Sequence, residues 1–177
     1  MASKQLSLTD TLLNSPTISR IRRNHALEHA ALHILAQRYP GKPMAGHSNP
    51  GGFWILGDIP TEAVWSAVES ALARLRAGEK HLALHPNCGT NIVVAGVAAG
   101  LSASLAMLGS GNRRRDKLER LPLALSLATF GLVAAQPLGT AIQARVTTCA
   151  EPGELRIVDV IPRDGGRLKA HRVVTEG

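Results

Sequence analysis

Apolar residues recur at helical spacing in two segments of the N-terminal half. The first segment runs from Ile18 to Arg38, and its apolar residues lie three and four positions apart, so that they form one stripe along a helix. The stripe consists of Leu27, Ala30, Ala31, Ile34 and Leu35. Thr17 can cap this helix. A second helix is predicted from Thr61 to about Ala77, where Gly78 ends it.

Short apolar or alternating runs elsewhere predict strands. Phe53 to Ile59 lies between Gly51-Gly52 and Pro60, as is typical of a strand. Further strands are predicted at Leu82–Leu84, Arg145–Cys149, Leu155–Ile161 and Leu168–Thr175, with a hairpin turn at 163–166 before the last. Residues 43–52 are predicted to form a loop, and residues 1–16 a flexible arm.

Two long runs without charge follow the second helix. Thr90 to Gly109 contains 20 such residues and Leu121 to Ala144 contains 24. Twenty helical residues span about 30 Å, the thickness of a hydrocarbon core. Small residues recur in both runs, at Gly96 and Gly100 and at Gly131, Ala135 and Gly139, a spacing that lets helices approach closely in lipid. The runs predict a two-helix transmembrane hairpin; two buried helices of a soluble protein are the alternative.

These elements together predict an α+β soluble domain with a two-helix transmembrane hairpin inserted. The arm is residues 1–16, the first part of the soluble domain is 17–89, the hairpin is 90–144, and the strand-rich second part is 145–177. An even number of crossings places both soluble parts on one side of the membrane, where their strands can share a sheet. The small-residue helix faces could also join copies of the chain into a homo-oligomer.

Charge and composition bear on partner and location. The formal net charge is +7, with a pI near 10.3, which favours an anionic partner. Aromatic residues are only 3%, too few to stack many bases, so membrane lipid is expected rather than nucleic acid. The basic residues near the two runs are almost evenly divided and do not set the orientation. The N-terminal segment lacks the pattern of a signal peptide, so we expect a cytoplasmic domain on the inner membrane.

The first helix carries the pattern H-x-x-E-H at His25, Glu28 and His29. The two histidines are four residues apart, so they share one face of the helix and can hold one zinc ion at roughly 2.0–2.1 Å each. Glu28 lies beside them and can accept a proton from a metal-bound water. Histidines that merely fill a polar core or face water are the alternative.

A catalytic zinc ion usually has three protein ligands and one water, so a third ligand must come from another segment. His33 is on the same face but lies about 12 Å from His25 along the helix axis. His85 and Cys88 are the leading candidates, because they lie in a Pro- and Gly-containing turn at the start of the first apolar run. His47 comes next, followed by Glu62 and Glu69.

Three motifs together resemble an uncharacterised family of small bacterial membrane proteins. They are R-R-N-H-A-L-E-H-A from Arg22, G-H-S with G-F-W-I from Gly46, and H-P-N-C-G-T-N from His85. The resemblance covers roughly Ser19 to Gly139 and implies a membrane protein with no known activity. The H-x-x-E-H stretch separately resembles the inverted-motif zinc metallopeptidases. In that family the third ligand is usually a glutamate on a later helix, which has no clear counterpart here.

The motif therefore predicts a membrane-bound zinc-dependent hydrolase, most specifically a metallopeptidase that acts on a peptide or a membrane protein. Glu28 would be its general base, and the strand at Phe53–Ile59 could take up an extended peptide at a sheet edge. One alternative is a membrane protein that binds a metal, haem or pigment through His25, His29 and His33 without catalysis. Another is a structural subunit of a membrane complex.

Overall fold

The computed structural model describes residues 8–111, 113–164 and 169–177. The chain divides into two compact units. The first comprises residues 1–85 and 144–177, and the second residues 86–143. The first unit is thus built from both ends of the chain, and the second is inserted between them.

Within its described residues, the first unit contains three α-helices. They are α1 (Leu8–Leu13), α2 (Pro16–Arg38) and α3 (Thr61–Arg76). Pro16 occupies the first turn of α2, where its missing N–H costs nothing, and Ser15 rather than Thr17 is the N-cap residue. The α1 helix lies where an irregular arm was predicted. After α3, a 3-10 turn at Lys80–Ala83 replaces the strand predicted at 82–84.

The predicted α+β class and shared sheet are confirmed by four antiparallel strands in the order β1-β2-β4-β3. The strands are β1 (Ala45–Asn49), β2 (Gly52–Leu56), β3 (Arg156–Asp164) and β4 (Lys169–Glu176). The first two come from the N-terminal part and the last two from the C-terminal part. Of the turn predicted at 163–166, residues 165 and 166 lie outside the described residues.

The core of the first unit lies between α2, α3 and the sheet. Leu27 and Leu35 of α2 and Phe53 and Ile55 of β2 are completely buried. Each fully buried side chain of this size contributes about 1.5–3 kcal/mol to folding. The apolar stripe read from the sequence is therefore the face by which α2 is anchored, and it fixes which way the polar residues of α2 point.

The second unit contains three helices, α4 (Gly89–Met107), α5 (Arg114–Ala134) and α6 (Gln136–Ile142). Within the described residues, α4 is the one helix that is long and apolar enough by itself to cross a membrane. The α5 helix meets the same criterion only together with the segment Gln136–Thr147, with a bend of 40° between them. A π-helical turn at Gln143–Thr147 then leads back to the first unit, where a strand at 145–149 was predicted.

The contact between α4 and α5 differs from the one predicted from small-residue spacing. A Cβ atom added at Gly131 would lie 2.9 Å from the carbonyl oxygen of Ala98 and would also overlap Ser102. A Cβ atom added at Gly96 or Gly100 meets no described atom within 4 Å. The prediction for Gly96 and Gly100 was therefore wrong, since the spacing of small residues does not show which face of α4 meets α5. Gly139 does lie against a helix, packed onto Asn91 of α4.

Replacing Gly131 by leucine should loosen the second unit, because its side chain would have to displace the backbone of α4. Overpacking of this kind costs about 1–3 kcal/mol. Gly100→Leu is the matched control and should leave stability nearly unchanged. Thermal unfolding of both variants in detergent tests this, and equal losses for the two would contradict the assigned contact.

Candidate metal centre

The polar face of α2 carries three histidines at four-residue spacing, His25, His29 and His33. Successive members lie one turn apart along the helix. His29 is only 2% exposed, whereas His25 and His33 are partly exposed. The ring centroids of His25 and His29 are 4.3 Å apart, and one ring nitrogen of each lies within 4.8 Å of the other. This confirms that the two side chains share one face.

Backbone carbonyl groups fix the protonation of both rings. The Nδ1 of His25 lies 2.9 Å from the carbonyl oxygen of Thr147, and the Nδ1 of His29 lies 2.8 Å from that of Ala83. A carbonyl oxygen can only accept, so each Nδ1 carries the hydrogen and donates it. Each Nε2 then carries the lone pair that a metal ion needs. Histidine ligands of metals typically hold their second nitrogen in this way.

His85 joins the group from the segment that follows the 3-10 turn. Its ring centroid is 5.6 Å from that of His29 and 4.8 Å from that of His33. Two imidazoles that share one tetrahedral zinc ion have centroids about 5 Å apart, given Zn–N bonds of about 2.1 Å. The 5.6 Å between the ring centroids of His29 and His85 is close to this value. His33 is held by an Nε2–H bond of 2.7 Å to the carbonyl oxygen of Leu84.

The surroundings of His85 keep its imidazole neutral. Burial, followed by repulsion from the neighbouring His33 and His29, lowers its pKa from the ordinary value of 6.5 to about 4. A neutral imidazole at physiological pH offers a lone pair, which is the form that binds metal.

Glu28 is buried on the side of α2 that faces the sheet. It is 4% exposed, and Ser48 of β1 donates a short hydrogen bond to its Oε2. Gly46, also on β1, packs directly against the carboxylate, and a Cβ atom there would overlap Glu28 Oε1. The carboxyl group is therefore held against β1 by the hydroxyl of Ser48 and by close packing on Gly46.

The pleat of β1 explains how these residues meet Glu28. Gly46 is paired with Ile55 and Ser48 with Phe53, and both partners are completely buried. Side chains alternate between the two faces of a strand, so Gly46 and Ser48 share the face that packs on α2. This strand is polar and Gly-containing, which is why the sequence predicted a loop there.

Asn24, next to His25, ties the start of this helix to the sheet. It is completely buried, accepts a hydrogen bond of 2.7 Å from Thr175 of β4 and donates one of 2.8 Å to the carbonyl oxygen of Asn49. Sequence reasoning missed this role, because the partners lie 25 and 151 residues away along the chain.

The remaining predicted candidates are distributed differently. His47 alternates with Gly46 and Ser48, so it lies on the opposite face of the sheet from α2, where it is exposed. Glu62 and Glu69 are exposed on α3. Cys88 belongs to the second unit, where it is the N-cap residue of α4, and its role as a ligand stays a prediction.

The strand at Phe53–Ile59 was predicted to offer a free sheet edge, and this prediction was wrong. The strand β2 has neighbours on both sides, β1 and β4, and β1 is the edge strand next to it. The sequence had predicted a loop where β1 lies. Without β1, the segment at 53–59 would form the edge of the sheet.

The donor set within the first unit fits a transition metal of the zinc type. It consists of imidazoles that are oriented by carbonyl groups, and imidazole nitrogen is a preferred zinc ligand. The class that fold and site define is thus an α+β domain with a histidine-rich candidate metal centre on its central helix.

The chain belongs to the DUF6391 family, described as a domain of unknown function, which matches residues 20–160. It is also 36% identical to an uncharacterized protein of Picosynechococcus sp. over 138 residues, which is 72% of this chain. The match spans 65% of that relative's length. No solved structure matches the chain. The resemblance to an uncharacterised family is confirmed, and the comparisons assign no activity.

The low pKa of His85 makes a prediction about acid stability. Because folding lowers this pKa, the contribution of His85 to stability is complete above about pH 6.5, the unfolded value, and is lost as the pH falls toward 4. In the metal-free protein we expect the NMR titration of the His85 ring to have its midpoint below pH 5.

His85→Gln should flatten the decline in melting temperature between pH 6.5 and 4. His47→Gln is the control, because that ring is exposed on the other face of the sheet, and it should leave the slope unchanged. A midpoint for His85 near 6.5 would contradict the burial of this ring among the other histidines.

Proposed function

We propose that this protein is a membrane-bound, zinc-dependent hydrolase of the metallopeptidase type, with the metal held on α2. The observation that carries the proposal is the pair of Nδ1–H bonds from His25 and His29 to backbone carbonyls, which places the lone pair of each ring on Nε2. His85, whose neutral ring lies beside that of His29, is one candidate for the third ligand. Cys88, three residues further along the chain, is the further candidate donor.

A bound zinc ion would supply a water of lowered pKa and would polarise the carbonyl group of a substrate. Glu28 is the general base, which takes the proton of the attacking water and passes it to the leaving amine. Ser48 orients the Glu28 carboxylate through its hydrogen bond.

The membrane part of the proposal rests on the surface of the second unit. Only 6% of the apolar stretch of α4 is buried, whereas the core helix of a soluble domain is mostly buried. Large apolar side chains cover its exposed faces, among them Ile92, Val93, Val97, Leu101 and Leu105, each more than half exposed. Contact with lipid would remove this surface from water. We propose that α4 and the α5–α6 pair form a two-pass hairpin in the inner membrane, with the first unit in the cytoplasm.

The substrate of such an enzyme is a peptide or a membrane protein near the lipid surface. An extended peptide can add to the outer edge of β1, the strand that carries Gly46 and Ser48. Binding there would place a substrate backbone on the strand that contacts Glu28.

Variants of the motif should separate metal binding from catalysis. His25→Ala and His29→Ala should each lose zinc and part of the stability of the first unit, since metal binding is linked to folding. Glu28→Gln should keep one zinc per chain, because the amide has nearly the same shape, but should lose about 10²–10⁴-fold in peptide cleavage because it is not a base. Metal analysis and cleavage of a labelled peptide library measure the two effects.

The control for these variants is His47→Ala, which should bind zinc as the parent does. Cys88→Ser tests the further donor and should weaken zinc binding without abolishing it. Correctly folded parent protein that binds no zinc would refute the proposal.

Membrane insertion predicts that the full chain stays in the membrane pellet after carbonate extraction and leaves it only in detergent. A reporter fused after Gly177 should be active in the cytoplasm, since a two-pass hairpin returns the chain to the side it came from. Release by carbonate alone would contradict insertion, and a fusion that is active only outside the cytoplasm would reverse the orientation.

One observation favours a second function, a metal-binding membrane protein without catalysis. The hydrogen bond from Ser48 to Glu28 also joins α2 to β1, so this carboxylate can serve the fold instead of the chemistry. In that case Glu28→Gln would keep zinc, and neither it nor the parent would cleave any peptide.

A further inference from the structure

Arg22 lies one turn before the histidine face of α2. Its side chain reaches residues 145–149, the return segment, which leads back from the second unit. Its guanidinium donates hydrogen bonds to the carbonyl oxygens of Arg145, at 3.0 Å, and of Thr148, at 3.1 Å. The backbone N–H of Cys149 donates a bond of 3.0 Å to the carbonyl oxygen of Arg22 itself. These three bonds hold residues that precede and follow Thr147 in the sequence.

The carbonyl of Thr147 is the group that receives the Nδ1–H of His25. Its position depends on the path of residues 145–149, which form no strand and contain a π-helical turn. The bonds to Arg22 restrain this backbone on both sides of Thr147. The link therefore runs from Arg22 to the return segment and from there to the imidazole of His25.

We propose that Arg22 is a positioning residue of the metal centre, which sets the tautomer and orientation of His25 through the carbonyl group of Thr147. The inference rests on the proposed metal site, but its first consequence, a single His25 tautomer, is a property of the metal-free protein. Losing a partner that orients a histidine ligand typically costs 10–100-fold in metal affinity.

An arginine suits this role because its planar fork carries several donors in fixed directions. One nitrogen, Nη2, reaches two carbonyls of the return segment, while Nη1 donates to the carbonyl oxygen of Leu13 at the end of α1. A lysine would supply a charge on a flexible stem without this fork. Arg22→Lys is therefore a demanding test, since it keeps the charge and removes the geometry.

The experiment compares Arg22→Met and Arg22→Lys with Arg20→Met in the full chain in detergent. Arg20 is the matched control, because it is a similarly buried arginine of α2 that donates to the carbonyl oxygen of Thr175 on β4. Long-range ¹H–¹⁵N NMR spectra of metal-free protein with labelled histidine report the tautomer of His25. A competition titration with a zinc chelator gives the affinity.

We expect the parent and Arg20→Met to show His25 with its hydrogen on Nδ1 alone. Both Arg22 variants should show a population with the hydrogen on Nε2, together with zinc affinity lower by about 10–100-fold. If Arg22→Met does not fold, the comparison is read on Arg22→Lys.

An unchanged His25 tautomer in a folded Arg22 variant would overturn the inference, as would an equal change in Arg20→Met. A parent that binds no zinc would refute the proposed function instead, and the tautomer comparison would still decide the role of Arg22.

Discussion

His25 and His29 are held by carbonyl groups from two distant parts of the chain, Thr147 and Ala83. The site therefore exists only when the return segment and the turn after α3 both pack against α2. A histidine pair on an isolated helix would share a face, but either ring nitrogen could carry the hydrogen. The carbonyls place the hydrogen of each ring on Nδ1 and the lone pair on Nε2, and the candidate chemistry depends on this arrangement.

The rest of the first unit can be understood as support for that arrangement. The apolar stripe of α2 packs on α3 and the sheet, which turns the histidines toward the segments that carry the carbonyls. Asn24 fixes the helix to two strands through buried hydrogen bonds. On the neighbouring side, Gly46 and Ser48 of the edge strand receive Glu28. The motif R-R-N-H-A-L-E-H thus contains residues that bond to the sheet, to the turn after α3 and to the segment that returns from the second unit.

Much of this could be predicted from the sequence, because it depends on local periodicity. The bounds of α2 and α3, the face shared by His25 and His29 and the two C-terminal strands all follow from spacing. The strand β1 could not be found in this way, since Ala45-Gly46-His47-Ser48-Asn49 has no apolar alternation and pairs only because β2 and α2 lie next to it. The choice among His85, His47 and the glutamates of α3 depended on which face of an element each occupies. The roles of Arg22 and Asn24 depend on partners more than a hundred residues away.

X-ray absorption at the zinc edge, recorded on the purified protein loaded with one equivalent of zinc, tests directly whether the metal is bound on α2. We expect a coordination shell that contains at least two imidazole nitrogens at about 2.0–2.1 Å, and we expect this signal to be lost in His29→Ala. Because Cys88 is a further proposed donor, a sulfur contribution at about 2.3 Å that disappears in Cys88→Ser would be consistent with the account. A shell of oxygen ligands only, or a zinc spectrum that is unchanged in both His25→Ala and His29→Ala, would contradict a metal centre on this helix.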